Sequence, residues 1–176
     1  MEGTRFTGCV GQAVIEVNMS PRETVVAKSV IEGQSEVGIR VNRGGVRITD
    51  TRISGGSGAG IEANIANVTL NNVTVRDSNN PVSQGKGLFC NCQQLLIERS
   101  LFSNLGSLEG GAIYLTSSNS QSNFTIRNTT FQHNFAMHGG AIKLQDGARV
   151  NLVNNSFVNN SVNLFDPVSL QSLKLI

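Results

Sequence analysis

The chain has 176 residues, a formal net charge of +2 and 39% hydrophobic residues. This length suits one domain, and the hydrophobic fraction is sufficient for one core. The weak charge, without any run of Lys or Arg, argues against a nucleic-acid or membrane-surface partner. No stretch approaches about 18 consecutive apolar residues, so we expect no transmembrane helix. Residues 1–10 lack the apolar segment of a signal peptide.

Turn-forming residues dominate the composition and predict an all-β protein. The chain contains 19 Gly and 20 Asn, but only 3 Pro and no Trp. Gly and Asn tolerate the left-handed backbone conformation that tight turns require. The cysteines, Cys9, Cys90 and Cys92, are odd in number and lack a metal-ligand spacing, so they predict neither a disulfide framework nor a metal site. No cofactor is expected either.

An internal repeat is the strongest feature of the sequence. Five segments contain an apolar residue, an Ile or Leu two positions later, and an Ile, Val or Phe five positions after that. These segments begin at Val46, Val68, Leu95, Phe124 and Val150. A segment beginning at Thr24 fits the same frame. From Ile48 onward, the repeat lengths are 22, 27, 29 and 26 residues.

A second repeated strand lies between these segments. Its copies are Gly38-Ile-Arg-Val41, Gly60-Ile-Glu-Ala63, Gly87-Leu-Phe-Cys90, Ala112-Ile-Tyr-Leu115 and Ala141-Ile-Lys-Leu144. Their alternation with period 2 predicts strands, and polar turns separate them. The strands keep their length while the turns vary, which is typical of a solenoid whose insertions emerge as loops.

The repeats predict an all-β, right-handed parallel β-helix of about five to six coils of 22–29 residues. A coil is one turn of the solenoid, and a ladder is a column of equivalent side chains in successive coils. Three interior ladders are expected: Ile48, Leu70, Ile97, Ile126, Leu152; Ile39, Ile61, Leu88, Ile113, Ile142; and Ile53, Val75, Phe102, Phe131, Phe157. A leucine-rich repeat has an overlapping period, but the β-branched residues and Gly-Gly turns fit it less well.

Polar residues recur at one position between the first and third ladders. They are Asp50, Asn72, Asn128 and Asn154. We expect a corner there, in which Asn adopts the left-handed conformation, bonds its neighbours along the stack and is inaccessible to solvent. Arg99 interrupts this series and predicts a local irregularity.

The β-helix is predicted over residues 1–160, and an irregular tail or partial cap over residues 161–176. Phe6 matches a position of the third ladder, so the chain begins part-way round a coil. The tail offers an apolar cover in Leu170, Leu173, Leu175 and Ile176. Because solenoids need capped ends, we expect this chain to be a piece of a longer protein.

One stretch carries a family resemblance. Phe131-Gln-His-Asn134 is followed by Gly139-Gly-Ala-Ile142; Gly110-Gly-Ala-Ile113 repeats the second half, and Phe157-Val-Asn-Asn160 repeats the first. Residues 102–160 resemble the repeats of chlamydial polymorphic outer-membrane proteins, within the class of right-handed parallel β-helix (pectin-lyase-like) repeat proteins. The resemblance implies an extracellular or surface-exposed, adhesin-like role without a cofactor.

The outward positions carry few candidates for catalysis. Polysaccharide lyases and hydrolases of this class set several carboxylates on one exposed strand face. Here Glu98 lies one coil from Arg127, and Arg40 one coil from Glu62, which predicts two surface ion pairs. No catalytic residue is therefore assigned.

Phe89 and Tyr114 occupy equivalent outward positions of neighbouring coils. Two stacked, exposed rings would form a platform for a sugar or a partner protein. Alternatively, the rings cover each other or lie under the loop of residues 75–87. Cys90 matches an interior position and should be buried, whereas Cys92 is expected in the following turn, exposed.

Seven Asn-x-Ser/Thr sequons occur. Asn67 and Asn123 share a position just before a strand and are the better glycosylation candidates. His133 and His138 flank the Gly-Gly turn, but without nearby Cys or Asp they do not predict a metal site.

The sequence thus favours a non-enzymatic surface or secreted module, adhesin-like or a structural scaffold, extracellular or at the cell surface. Its expected partner is a carbohydrate or a cell-surface protein. The alternative is a polysaccharide-active lyase or hydrolase, or a fragment of one.

Overall fold

The computed structural model describes residues 1–20, 22–79, 84–117 and 122–162, and these ranges form eighteen β-strands. The strands are β1 Arg5–Thr7, β2 Ala13–Asn18, β3 Thr24–Ala27, β4 Val30–Glu32, β5 Val37–Thr49, β6 Arg52–Ser54, β7 Ile61–Asn71, β8 Thr74–Asn79, β9 Leu88–Glu98, β10 Leu101–Glu109, β11 Ile113–Ser117, β12 Asn123–Arg127, β13 Thr130–Gln132, β14 Phe135–His138, β15 Ile142–Gln145, β16 Val150–Val153, β17 Ser156–Val158 and β18 Ser161–Val162. Within the same ranges, no helix is long and apolar enough to cross a membrane.

The described strands form two parallel sheets that wind around a common core. The first follows the order β1-β4-β6-β8-β10-β13-β17, with β14 beside β10 and β18 beside β14. The second follows the order β15-β11-β9-β7-β5-β2, with β3, β12 and β16 added at its side. Each strand pairs with its counterpart one coil away, so the protein is a parallel β-solenoid of about six coils, as the repeat predicts.

The three predicted ladders are confirmed by the strand register. Ile48 pairs with Leu70, and the column continues through Ile97. Ile39 pairs with Ile61, and Phe102 pairs with Phe131. These side chains are fully buried, because every second residue of a strand points into the solenoid. Phe6 pairs with Ile31, which confirms its predicted place in the third ladder.

Several strands continue through predicted turns. In the second sheet, β5, β7 and β9 each run through the polar residues that separate the two repeated segments. Ile65 takes a positive φ of 52°, and the register between β7 and β9 shifts beside it. The corner between the two repeated segments is therefore a bend within continuous strands.

The predicted Asn corner exists, but Arg99 does not disturb it. Asp50, Asn72, Asn128 and Asn154 have positive φ angles of 49–54°, and Arg99 takes a φ of 49° at the same position. The predicted irregularity was therefore wrong for the backbone. Only the side-chain pattern changes: Asn72 donates to Asp50 at 2.7 Å, whereas the Arg99 guanidinium donates to Asn71 at 2.9 Å.

The corner Asn side chains are exposed, so the prediction that they are inaccessible was also wrong. A left-handed residue points outward at this corner, and the residue after it points inward. The inward positions hold Ser29, Thr51, Val73, Ser100, Thr129 and Asn155. Hydroxyl and amide groups in this column bond the backbone of the same or the neighbouring coil, as Ser100 does to Val73. This buried polar ladder stabilises the turn.

The Phe-x-x-Asn motif builds a second such corner. The Asn134 amide donates to the carbonyl of Phe102 at 3.0 Å, and its oxygen accepts from the Leu105 amide at 3.1 Å. Asn160 makes the equivalent bond to the Phe131 carbonyl in the next coil. Asn134 is completely buried. The motif therefore places a side-chain amide where it replaces missing backbone partners between coils.

Cys92 is buried, and its sulfur is bonded to that of Cys90. The predicted exposure of Cys92 was wrong, because β9 continues past it and residues two apart share one face of a strand. Cys90 is buried as predicted. Cys9 is a free cysteine.

The last described coil is open to solvent. Leu144, Leu152 and Phe157 are 40%, 44% and 47% exposed, although their ladder partners one coil earlier are buried. The first two residues of the predicted tail form β18. Residues 163–176, on which the rest of that prediction depends, lie outside the described residues.

Candidate functional site

One outward column of the second sheet collects most of the candidate residues. In register order it contains Glu16, Arg40, Glu62, Phe89, Tyr114 and Lys143. Successive strands lie about 4.8 Å apart, so neighbouring side chains of the column come within reach of each other. The column thus changes from charged to aromatic and back to charged along the solenoid.

Arg40 and Glu62 form the predicted ion pair. The guanidinium donates two bonds of 3.1 Å to one carboxylate oxygen of Glu62. The other oxygen accepts from the Asn64 amide at 3.0 Å. Because both oxygens of Glu62 have partners, this carboxylate is held in place on the wall beside Phe89.

The rings of Phe89 and Tyr114 stack as predicted, with centroids 5.5 Å apart and an interplanar angle of 4°. They do not form a two-ring exposed platform, because Tyr114 is only 4% exposed. Gly85 lies directly over the tyrosine, and the tyrosine hydroxyl bonds Gln145. Burial raises the pKa of Tyr114. Tyr114 therefore lies under the segment before β9, as the alternative predicted for the pair. Phe89 remains partly exposed.

Phe89 opens onto a surface cavity of about 370 Å³, here called the Phe89 pocket. The residues that line it include Glu36, Ser57, Glu62, Gln84 and Phe89. The lining residues come from three successive coils. Gln84 is anchored through its amide to Glu109 at 2.7 Å.

Lys86 lies buried beside this pocket. Its side chain is fully inaccessible, and its ammonium donates to the carbonyl of Ser57. No carboxylate among the described residues forms an ion pair with it. Burial lowers the pKa of Lys86 to about 8.

Asn67 and Asn123 occupy equivalent positions two coils apart. Asn67 pairs with Gln94, which pairs with Asn123, and both asparagines are exposed. They border a shallow groove of about 350 Å³ with Thr69, Leu96 and Thr125. Asn123 begins β12, whereas Asn67 lies inside β7. The side chains are accessible to modification, and their glycosylation stays a prediction.

Ion pairs run along the solenoid axis. Within the described residues, six pairs connect neighbouring coils: Glu2–Lys28, Arg5–Glu32, Glu23–Arg47, Arg40–Glu62, Glu98–Arg127 and Glu109–Lys143. The two predicted pairs are among them. Each exposed pair contributes little to stability, about 0–1 kcal/mol, but together they use many of the outward carboxylates.

The histidines do not assemble a site. Nε2 of His133 lies 3.3 Å from the amide nitrogen of Asn159, and His138 pairs in register with Glu109 on the edge of the first sheet. Across residues 1–20, 22–79, 84–117 and 122–162, no group of three or more His, Cys, Asp or Glu side chains could hold a metal ion.

The sequence pattern identified Phe89, Tyr114 and Glu62, but it missed Glu36, Gln84 and Lys86. These three lie in the variable segments between strands, where the repeat gives no register. Their place in the repeat could have indicated them. Glu36 lies two residues before Gly38, and Lys86 lies one residue before Gly87, where the second repeated strand begins.

Parallel sheets, buried ladders and polar corners define a parallel β-helix. A family model described as "Right handed beta helix region" matches residues 13–172. The chain belongs to this family. No curated protein and no solved structure matches it significantly. The narrower resemblance to chlamydial repeats stays a prediction.

Proposed function

We propose that this chain is a non-catalytic β-helix module of a surface or secreted protein, a rigid scaffold that presents an adhesin-like binding surface. The proposal depends mainly on the ion pairs that connect neighbouring coils along the solenoid axis. Six carboxylates of the described residues are paired with Lys or Arg of a neighbouring coil. Carboxylates fixed in this way stiffen the stack and are poorly suited to acid–base catalysis.

Two further features support an extracellular location. The Cys90–Cys92 disulfide forms and persists most readily in an oxidising compartment. The sequons at Asn67 and Asn123 lie on exposed surface, where a secretory pathway could modify them. Peptide mass spectrometry of the native protein tests both features, through the bonded cysteine peptide and the mass of the Asn67 and Asn123 peptides.

A polysaccharide-active lyase or hydrolase is the second candidate function. The Phe89 pocket favours it, since a concave site that contains Glu36 and Glu62 has the groups required for acid–base chemistry. However, both oxygens of Glu62 already have partners, which restricts its freedom to move a proton.

The two functions are separated by measuring turnover and binding together. Purified protein is incubated with a panel of polysaccharides, and released ends and unsaturated products are quantified beside a binding assay. Binding without product supports the module. Product that disappears in both Glu36→Gln and Glu62→Gln would contradict it and assign the second function.

A further inference from the structure

One face of the Phe89 ring is turned away from Tyr114 and toward the Phe89 pocket. Tyr114 covers one side of the Phe89 ring, with the two planes nearly parallel. The opposite side faces the coil of Glu62, its cross-strand neighbour, and the pocket lies on that side. A ligand in the pocket therefore meets the ring face, where the π electrons concentrate negative charge.

The charged group of the pocket that a ligand can reach is the Glu36 carboxylate. Glu36 is exposed on the rim and forms no ion pair with any described residue. The nearby cations are not accessible to a ligand: Arg40 is paired with Glu62, and Lys86 is fully buried with its ammonium on the Ser57 carbonyl. The pocket thus combines an aromatic face with an unpaired carboxylate.

This combination is suited to an ammonium group. A cation over an aromatic face is attracted by the π electrons of the ring, and a nearby carboxylate adds charge complementarity. The Glu36 carboxylate would repel the carboxylate of a uronic acid at the same place. The cavity of about 370 Å³ is large enough for a sugar unit.

We propose that the Phe89 pocket binds a carbohydrate with free amino groups, whose ammonium lies between the Phe89 ring and the Glu36 carboxylate. The proposal rests on the function as a surface-binding module and specifies its ligand class. The Gln84 side-chain amide also lines the pocket and is suited to hydrogen-bond a sugar hydroxyl.

The test compares three oligosaccharides of equal length by titration calorimetry on the full chain. They are a β-linked glucosamine oligomer, its fully N-acetylated counterpart, and an oligogalacturonate. The first two differ in charge at the nitrogen. We expect the free amine to bind at least about tenfold more tightly than either of the others. Equal binding of the acetylated oligomer, tighter binding of the uronate, or no binding of the amine overturns the proposal.

Variants then locate the site. Phe89→Leu keeps apolar volume but removes the ring face, and Glu36→Gln removes the rim charge. Each should weaken binding of the amine about 3- to 10-fold. Matched controls are Glu16→Gln, an exposed carboxylate in the same outward column, and Phe135→Leu, a partly buried ring outside the pocket. Thermal unfolding of each variant verifies folding; binding unchanged in both folded pocket variants contradicts the assignment.

Product analysis of the same mixtures keeps the two proposals apart. Amine binding without shortening of the oligomer agrees with both. Amine binding with cleavage preserves the ligand class and contradicts the non-catalytic function. Failure of all three oligosaccharides to bind refutes the ligand class, while the scaffold role is then judged by its own turnover assay.

Discussion

Lys86 places inside the protein a positive charge that has no carboxylate partner among the described residues. Its side chain is fully buried, and burial lowers its pKa to about 8 from the ordinary value of 10.5. Between these two pH values, the unfolded chain binds more protons than the folded chain. The free energy of unfolding therefore rises with pH across this window, and the whole penalty, up to about 3 kcal/mol, is present below pH 8.

Replacing Lys86 with Met should remove this penalty. We expect Lys86→Met to raise the free energy of unfolding at pH 7 by about 1–3 kcal/mol, since the bond to the Ser57 carbonyl is lost while the charge is no longer desolvated. Urea unfolding at pH 7 and pH 10.5 measures the effect. The parent should gain stability between the two pH values, and the variant should gain less. Equal gains in both would show that another group titrates.

Asn134 is the residue on which the second polar corner depends. Its side-chain amide satisfies the Phe102 carbonyl and the Leu105 amide inside the protein. Asn134→Ala should lower the free energy of unfolding by about 2–4 kcal/mol, because it leaves buried backbone groups unpaired. Asn151→Ala, on an exposed strand position, is the control and should cost no more than about 0.5 kcal/mol. Similar values for the two variants would refute the role of the corner amide.

At the scale of elements, the Phe ladder should show graded stability. Phe131 stacks between Phe102 and Phe157 at centroid distances of 5.4 and 4.9 Å, and it is fully buried. Phe131→Ala should cost about 3–5 kcal/mol by removing its contacts and leaving a cavity. Phe157→Ala, at a position 47% exposed, should cost less than half as much. Chemical denaturation measures both, and equal losses would contradict the predicted end effect.

The Cys90–Cys92 disulfide contributes little to the free energy of unfolding. It joins cysteines two residues apart within one strand, so it removes very little freedom from the unfolded chain. Stability at this scale comes instead from the ladders and from the polar corners that bond one coil to the next.

At the scale of the molecule, the last described coil exposes apolar side chains of the interior ladders, such as Leu144. In the sequence, residues 150–171 align without a gap to residues 124–145, so the repeat predicts that Val168 and Leu170 correspond to Ile142 and Leu144. The family match also continues to residue 172. We therefore expect that ending the chain after Val162 lowers the melting temperature, because the residues that the repeat predicts to pack against Leu144 are then missing.

Differential scanning fluorimetry measures this change. Val168→Ser with Leu170→Ser in the full-length chain is the matched variant, and it should reproduce most of the loss. An unchanged melting temperature in both proteins would contradict the role given to these residues.

Much of the fold follows directly from the sequence. Side chains in a strand alternate with period 2, and stacked coils repeat each interior position, so the spacing of Ile48, Leu70 and Ile97 determines both the ladder and the strand register. The same repeat spacing determines which outward side chains are neighbours in successive coils. The Arg40–Glu62 pair and the Phe89–Tyr114 stack were predictable for this reason.

Only the tertiary structure decided what surrounds those neighbours. The direction of a corner side chain depends on one left-handed residue, so the sequence pattern misassigned the exposed Asn72. The cover over Tyr114, the buried charge of Lys86 and the pocket beside Phe89 all arise where segments of unequal length from different coils meet. Repeat spacing fixes the register of strands, whereas the packing of insertions depends on non-local contacts that no local pattern encodes.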